Sequence, residues 1–549
     1  MTMSFFKKPI FWLLVFAFSL RIIGVFEGLP AVYNSTEHFL AKFTLKMAAE
    51  KTLDPGFYIY PSLYQYILAL LYGLYFVLGL LIGLFKDSYD FAVQFLIDPT
   101  CFYVISRSVS TIISVLSIWL LYKFVVNFRD EKNAFIAAVI MSLSYYSIHF
   151  SRLAIQESFL ILFTILAMSY FWKSQNRAEK KFLFWAGVFC GLAIASKYNA
   201  GFLIFGLFLS VYFSWKKFSD ELGIRILLAT IGILSGFLIT NPYWIYAPQK
   251  YINGFILVTE QMYYGISLER GINYLWELKE IVIHEWILGI IFLVSVIYAI
   301  MKKNPFYLTL LSVTIPTIIY VGSWPKKGID YLIVCWPIFF FFSALLLMDI
   351  LEKYTSNQRI RGFLLSVIFI PSILYTGHQT ILSILPDTRQ LTSDWILDNI
   401  KADDKICYDK NGYDLQIIDV RRFTDYGTSA ESLPKDIKSR LLSIKNISRN
   451  VNFVPGIKII DNNSSKKRPS VQWKTLDDLI AEGVTYFISN QDFRQMFIRS
   501  GESNNELVEG IKQLYLELES RLHPIEVFES NLWRKGPRLK IYNLIDLNK

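Results

Sequence analysis

Charge is scarce in this chain. Only 18% of its 549 residues are Asp, Glu, Lys or Arg, against about 25% in an ordinary soluble domain. That shortfall excludes a soluble enzyme, a disordered chain and a fibrous repeat. Cysteine is scarcer still. Cys101, Cys190, Cys335 and Cys407 stand far apart with no CxxC spacing, so there is neither a disulfide framework nor a zinc signature. Five histidines are scattered, and no HxxxH spacing or Asp-x-Asp nucleotide-sugar motif occurs in the loops assigned below to the outer face. No internal repeat is visible. What fills the chain is apolar: 54% hydrophobic and 17% aromatic residues. This is the composition of a polytopic membrane protein. The net charge of +10 then reads as basic membrane-flanking loops rather than as a nucleic-acid surface.

The spans follow from the apolar runs. Lys7 and Lys8 precede Ile10–Phe26, and no small-x-small cleavage site follows, which predicts an uncleaved first span with a cytoplasmic N-terminus. Further runs lie near 104–122, 134–150, 158–172, 183–196, 201–215, 226–246, 286–301, 305–322, 331–350 and 362–384. With eleven alternating spans, seventeen Lys and Arg fall on inside segments. Only Arg152, Lys197, Lys326 and Lys327 fall on short outside loops, as the positive-inside rule requires. The long outside segments 27–103 and 247–285 are acidic. The apolar stretch Leu63–Phe85 is long enough to span, yet counting it would invert every later loop. The charge pattern therefore predicts a bent, re-entrant or interfacial helix there, or one that returns through the weak segment 89–103.

After Pro386 the composition becomes soluble. Helix-like stretches (Ser393–Ile400, Leu476–Glu482, Glu506–Arg521) alternate with short strand-like ones (Lys405–Tyr408, Thr485–Ser489, Leu539–Leu544), which predicts a small α/β domain. Lys466–Arg468 reads as an exposed loop. The domain organisation is thus a helical membrane domain over 1–385, with a large outer loop 27–103, and a soluble α/β domain over 386–549 on the outer face.

Most unusual polar residues map to that face: Glu37 and His38 after the first span, Arg107 opening the second, Arg152 and Glu157 between spans three and four, Lys197 ending span five, and Lys326 with Lys327. Ionisable residues at membrane depth are costly and are candidates for function. Carboxylates and cations on one side suggest acid–base chemistry on an anionic lipid. Loop charges in water are the bland alternative for any one of them. Tyr58, Tyr60 and Tyr64 suit the headgroup level, where aromatic belts also occur.

At these residues the chain resembles a known group of enzymes. "LPAVYNSTEHFLAKFTLKMAAEKTLDPGFYIYPSL" (29–63), "IHFSRLAIQESF" (148–159), "GLAIASKYNAG" (191–201), "TNPYWI" (240–245) and "KKGIDYLIVCWPIF" (326–339) resemble, in order and spacing, the motifs of GT-C membrane glycosyltransferases. Among these the chain is most similar to the protein O-mannosyltransferases and the lipid A aminoarabinose transferase. "DTRQLTSDWILDNI" (387–400) and "GPRLKIYNL" (536–544) resemble the start and end of the outer α/β domain of bacterial members.

The resemblance implies a fold of about eleven transmembrane helices plus re-entrant or juxtamembrane ones. It implies transfer of a sugar, with inversion, from a polyprenyl-phosphate carrier to a protein, lipid or glycan acceptor in the cell envelope. The leaving group is a lipid phosphate, so Lys197, Arg152, Arg107, Lys326 and Lys327 become candidates to stabilise it. Glu37 and Glu157 become candidates to take the acceptor proton, with Glu37 the better placed in the acidic pair. The stretch 57–85 would cradle the isoprenoid tail.

Two departures stand out: the usual Asp-Glu pair reads Thr36-Glu37, and the usual second-loop Asp is Glu157. Threonine is no base at neutral pH, so a catalytically altered homologue is one alternative. A transporter of lipid-linked glycan is another, although it would call for charges near the midplane and repeated halves. The sequence assigns no cofactor. A divalent metal is left open, with His38 the first-loop residue that would assist or bind it.

Overall fold

The computed structural model describes residues 8–219, 221–264, 274–401, 404–409, 452–453, 457–460, 470–498 and 506–548. The expected loop at Lys466–Arg468 lies outside the described residues.

The first third of the chain forms α1 (Pro9–Ile22), α2 (Ser35–Ala49), α3 (Leu63–Leu81), α4 (Ser88–Ile97), α5 (Thr100–Phe128), α6 (Glu131–Leu143), α7 (Tyr145–Ser151) and α8 (Glu157–Asn176). Then come α9 (Lys181–Ser196), α10 (Leu203–Phe218), α11 (Leu222–Thr240), α12 (Tyr243–Tyr246), α13 (Pro248–Tyr264) and α14 (Tyr274–Glu285). The membrane domain closes with α15 (Ile287–Lys302), α16 (Pro305–Gly322), α17 (Trp336–Tyr354) and α18 (Gln358–Leu382). Among the described residues, eight helical segments are long and apolar enough to cross a membrane, or nine when the bent pair α6–α7 counts as one. Helix α8 has twenty residues, and α9 and α15 are apolar but shorter. The expected run 134–150 is split between α6 and α7, and 226–246 between α11 and α12; the other nine each fall mainly on one of these helices, and α3 is the extra candidate.

Ion pairs gather the predicted inside segments at one end. Lys8 meets Glu131 at 3.6 Å, Arg129 meets Asp349 at 2.6 Å, and Lys302 meets the same Asp349 at 3.0 Å. Lys180 meets Glu221 at 3.1 Å. Helix α17 runs through the centre, where Trp336–Met348 are all buried. It is apolar all round, as a helix surrounded by other helices must be.

Helix α3 stays at the opposite end. Its Tyr72 hydroxyl accepts a hydrogen bond from Ser106 at 3.1 Å, while Tyr75, one turn further on, meets Phe102, one turn further back in α5. The two helices are therefore antiparallel over the first turns of α5, and α3 climbs away from the Arg129 end. Helix α4 folds back on it through Phe76–Phe91 and a Tyr75–Gln94 hydrogen bond of 3.0 Å. Leu70, Leu74, Val77, Leu78 and Leu81 remain exposed, an apolar face that suits lipid.

Glycine sets the closest packing in the bundle. "GVFCG" (187–191) on α9 faces "GILSG" (232–236) on α11. A Cβ on Gly187 would lie 2.2 Å from the Ala229 carbonyl oxygen, and one on Gly236 would lie 2.2 Å from the Val188 carbonyl oxygen. Backbones can approach that closely only where no side chain intervenes. Gly187→Val should cost at least about 1–3 kcal/mol by overpacking. Thermal unfolding of the detergent-solubilised protein would read this as a lowered midpoint, and an unchanged midpoint would contradict the packing.

The tail begins with α19 (Thr388–Asn399) and contains a five-stranded sheet. Its strands are β1 (Lys405–Tyr408), β2 (Asn452–Phe453), β5 (Tyr486–Asn490), β6 (Glu526–Phe528) and β7 (Leu539–Asn543), in the order β2-β1-β5-β7-β6. β1 is parallel to β2 and β5, and β7 is antiparallel to β5 and β6. A hairpin of β3 (Ile457–Ile460) and β4 (Ser470–Trp473) stands beside it, with helices α20 (Leu476–Ala481), α21 (Gln491–Ile498) and α22 (Glu506–Arg521). Alternation along the strands loads both faces. Cys407, Phe487 and Tyr542 face the core with Leu476, Leu514 and Tyr515, while Ile406, Ile488 and Ile541 face Ile396 of α19. The tail rests on the first loop and the bundle. The Arg389 guanidinium lies 3.4 Å over the Tyr33 ring, Lys535 pairs with Glu27, and His378 Nε2 meets the Leu532 carbonyl oxygen at 2.7 Å.

Candidate active site

The end of the bundle opposite the basic loops holds most of the buried ion pairs among the described residues, and two of them organise it. The first joins the opening loop to the bundle. Asn34 caps α2 by accepting the Thr36 N–H at 2.9 Å, which sets Thr36 and Glu37 in the first turn. Arg107 of α5 grips Glu37 with two bonds of 2.8 Å, from Nε to Oε1 and from Nη2 to Oε2. The Ala154 N–H adds a bond of 2.6 Å to Oε1. The remaining guanidinium nitrogen donates to the Val25 and Glu27 carbonyl oxygens at 2.9 and 2.8 Å. Both side chains are essentially unexposed.

This bidentate geometry engages both oxygens of Glu37. The carboxylate ties α2, α5 and the turn after Arg152 together, and neither oxygen faces an open space. Removing one partner would leave the other charge buried and unpaired, at a cost of about 3–5 kcal/mol.

The second arrangement is a lysine between two carboxylates. Lys197, at the end of α9, donates to Glu157 Oε1 at 2.9 Å, to Asp330 Oδ2 at 2.7 Å and to the Asp330 carbonyl oxygen at 3.3 Å. The Tyr331 ring lies 4.9 Å from its Nζ. Glu157 opens α8, where the helix N-terminus favours a negative charge. Its second oxygen, Oε2, is buried without a hydrogen-bond partner. The lysine and Glu157 side chains are 4% exposed, but Asp330 is 32% exposed. Asp330 is thus the face this cluster turns to solvent.

Tyr60 completes the cluster. Thr36 is among the groups that act on its phenol. Burial pushes the phenol above its ordinary pKa, Lys197 opposes that shift, and Asp330 and Glu157 add to it. Helix α2, the loop before α3, the start of α8, the end of α9 and the turn before α17 therefore converge on one point.

The other sequence-derived candidates sit elsewhere. Arg152 donates to the Leu20 carbonyl and the Thr380 hydroxyl, both at 2.5 Å. It lines a cavity of about 140 Å³ with Glu27, His149 and Lys535, between the bundle and the tail. Lys327 pairs with Glu277 at 3.2 Å, both buried, and the Lys326 N–H bonds the Met262 carbonyl at 3.0 Å. Tyr58 hydrogen-bonds Asp54, which Lys250 also meets at 2.6 Å, on the wall of a second cavity of about 280 Å³. Tyr64 packs on Phe159, 5.8 Å between ring centres, and His38 packs on Phe39 at the same separation. The five candidate cations do not share one cavity. Each of Arg107, Lys197 and Lys327 already has its own carboxylate.

Sequence reasoning passed over Asp330, although it lies inside the "KKGIDY" segment. An acid at the head of an apolar run is itself a signal. It also passed over Glu285. That carboxylate accepts from Ser144 Oγ at 2.7 Å and from the Tyr145 and Tyr146 N–H groups at 3.0 and 3.1 Å. It thereby caps α7 at the 61° bend after α6. Among the described residues, no group of three or more His, Cys, Asp or Glu could hold a metal ion.

Residues 67–258 match the model of a family described as dolichyl-phosphate-mannose-protein mannosyltransferase. No curated protein matches the chain. Among solved structures, the oligosaccharyltransferase of Archaeoglobus fulgidus, in complex with zinc and sulfate, is 13% identical with a TM-score of 0.50, over 91% of this chain and 70% of that one. The apo form of that enzyme is 12% identical with a TM-score of 0.50, over 92% and 73%. ArnT from Cupriavidus metallidurans, bound to undecaprenyl phosphate, is 10% identical with a TM-score of 0.49, over 98% of both chains. The chain has the GT-C fold of membrane glycosyltransferases and resembles the protein O-mannosyltransferases, as its motifs imply.

The clamp gives a direct expectation. Glu37→Ala should destabilise the protein by about 3–5 kcal/mol, and Glu37→Gln should do so less. Thermal unfolding in detergent checks both. A Glu37→Ala variant as stable as the parent would mean the clamp does not hold the first loop.

Proposed function

We propose that this protein transfers a sugar from a polyprenyl-phosphate carrier to an envelope acceptor, on the face of the membrane away from its basic loops. The observation that carries this reading is the Lys197 cluster, buried at the end of the bundle with one carboxylate turned outward. The matched family supports the donor class, since the family is one described by a dolichyl-phosphate donor.

In this reading the lipid tail lies along the exposed apolar face of α3, and the phosphate reaches the cluster between α2 and α17. The acceptor oxygen attacks the sugar's C1 from the side opposite the phosphate. The C1–oxygen bond breaks with its electron pair going to the phosphate, and the acceptor proton goes to a carboxylate. Lys197 stabilises the charge that develops on the phosphate. Low local dielectric makes that attraction stronger than it is in water.

Of the two acids singled out by sequence, Glu157 belongs to the Lys197 cluster and keeps one oxygen without a hydrogen bond, whereas both oxygens of Glu37 are engaged by Arg107. The role of Glu37 here is to hold Thr36 and Tyr60 at the cluster. The tail, as a unit over 386–549, caps the outer mouth and bounds the acceptor's approach.

The threonine at position 36, beside Tyr60 of the cluster, favours a second reading. The position where related enzymes carry an Asp has no carboxylate, as a homologue that binds the carrier without transferring the sugar would have it.

Mass spectrometry of surface glycolipids and glycoproteins separates the two. Cells producing the protein should carry a glycosylated species that is absent without it and lost with Lys197→Met. The same species surviving in the Lys197→Met strain would remove the cluster from the mechanism. Sidedness has its own check. Reporter fusions after Ser219 and after Asn399 should report opposite sides, cytoplasmic for the first, and a cytoplasmic signal from the second would overturn the outer placement.

A further inference from the structure

Resting on that reading, the electrostatics of the cluster raise a conflict. Two carboxylates face one ammonium, so the group around Lys197 carries a net negative charge. A lipid phosphate cannot join it without adding one or two more negative charges at hydrogen-bond distance from both acids. Like charges held that close in a poorly solvated site are strongly unfavourable. One carboxylate must leave Lys197 before the phosphate can bind.

Structure singles out the one that leaves. Glu157 is fixed at the first turn of α8 and is 4% exposed, whereas Asp330 is 32% exposed. Asp330 opens a short 3-10 turn, Ile329–Cys335, after Gly328. Its Oδ1 lies against that glycine, 2.7 Å from where a Cβ would stand. The Tyr331 ring closes on the same spot, 2.8 Å away, so the space beside the glycine is taken, and the partly exposed carboxylate leaves toward solvent. Glu157 stays behind and keeps Lys197 charged and in place.

We infer that Asp330 is a carboxylate that trades places with the donor phosphate: it holds Lys197 in the empty enzyme, is displaced when the lipid phosphate takes its position, and then accepts the acceptor's proton. The acceptor O–H proton goes to Asp330, the oxygen bonds to C1, and the C1–oxygen bond to phosphate breaks with its pair on the phosphate that Lys197 now holds. The donor therefore has to bind before the base is free, so the empty enzyme does not activate an acceptor.

Asp330→Asn tests the exchange. It leaves Lys197 and Glu157 as a balanced pair, so the fold should persist. Undecaprenyl phosphate serves as the probe, titrated onto the purified full-length protein in detergent. Asp330→Asn should bind it about tenfold tighter than the parent, because the competing carboxylate is gone. Surface glycosylation by the same variant should fall by about 10²–10⁴-fold, the usual cost of losing a general base. A residue with a purely structural role would not tighten binding while abolishing transfer.

Equal or weaker binding by Asp330→Asn, or near-parent glycosylation, overturns the inference. Gly328→Ala is a second variant. By crowding Asp330 off Lys197 it should tighten binding in the same direction, and unchanged binding would count against the exchange. Lys197→Met separates this inference from the reading beneath it. If that variant binds undecaprenyl phosphate as the parent does, the phosphate site itself is misplaced. If it loses binding while Asp330→Asn matches the parent, only the exchange fails.

Discussion

A charge withdrawn from water into an apolar bundle has to meet its opposite, and that requirement shapes this molecule. Leaving a buried ion unpaired costs several kcal/mol, more than most single packing contacts supply. Glu37 with Arg107, Lys197 with Glu157 and Asp330, and Lys327 with Glu277 are each such settlements. Each joins segments far apart in the chain. The clamp on Glu37 fixes the first loop to α5, which brings Thr36 and Tyr60 to the Lys197 cluster. Beyond it the loop is held by more exposed ties, such as Lys250 with Asp54 and Lys535 with Glu27, and by aromatic contacts such as Phe39 and Phe43 stacked on Phe57.

Neutral partners meet the same demand where no acid is available. Arg21 is fully buried in α1 and donates to Ser114 Oγ at 3.0 Å, to Ser147 Oγ at 3.1 Å and to carbonyl oxygens of Ala17, Met141 and Ser142. The last two carbonyls lie just before the break between α6 and α7. Ser144 caps the new helix and Glu285 accepts the orphan N–H groups of its first turn. A polar break inside an apolar run is tolerated because each exposed backbone group finds a partner in the protein. The 61° turn then carries His149 and Arg152 to the cavity under the tail.

The spans were legible because Lys and Arg mark one end of nearly every apolar run, and the pairs Lys8–Glu131 and Arg129–Asp349 show those marks meeting. The placement of α3 was legible only as a conflict. Hydropathy made it a span, loop charges forbade it, and its antiparallel packing on α5 keeps it at the Arg107 end. In the tail, short alternating strands marked the sheet, but its order could not be read, since β5 and β7 pair across about fifty residues. For the site, the residue types were visible and the pairings were not. Asp330 lies 133 positions from Lys197, and nothing local to either names the other. Lys326 and Lys327 were the louder signal in that segment and drew attention away from the acid three residues on.

Thr36 and Asp330 make sense only together. Thr36 acts on the Tyr60 phenol, and Tyr60 lies within the field of Lys197, Glu157 and Asp330. An aspartate at position 36 would place a third carboxylate around one lysine. Burial would then force a proton onto one of the three, because a single ammonium cannot offset three negative charges in a poorly solvated site. A hydroxyl at position 36 avoids that and leaves the acid on the opposite wall. The site thus retains an exchangeable carboxylate but carries it on the segment before α17 rather than on the first loop. The proton acceptor in this chain is therefore to be sought at Asp330, across the cluster from the threonine that makes its sequence look incomplete.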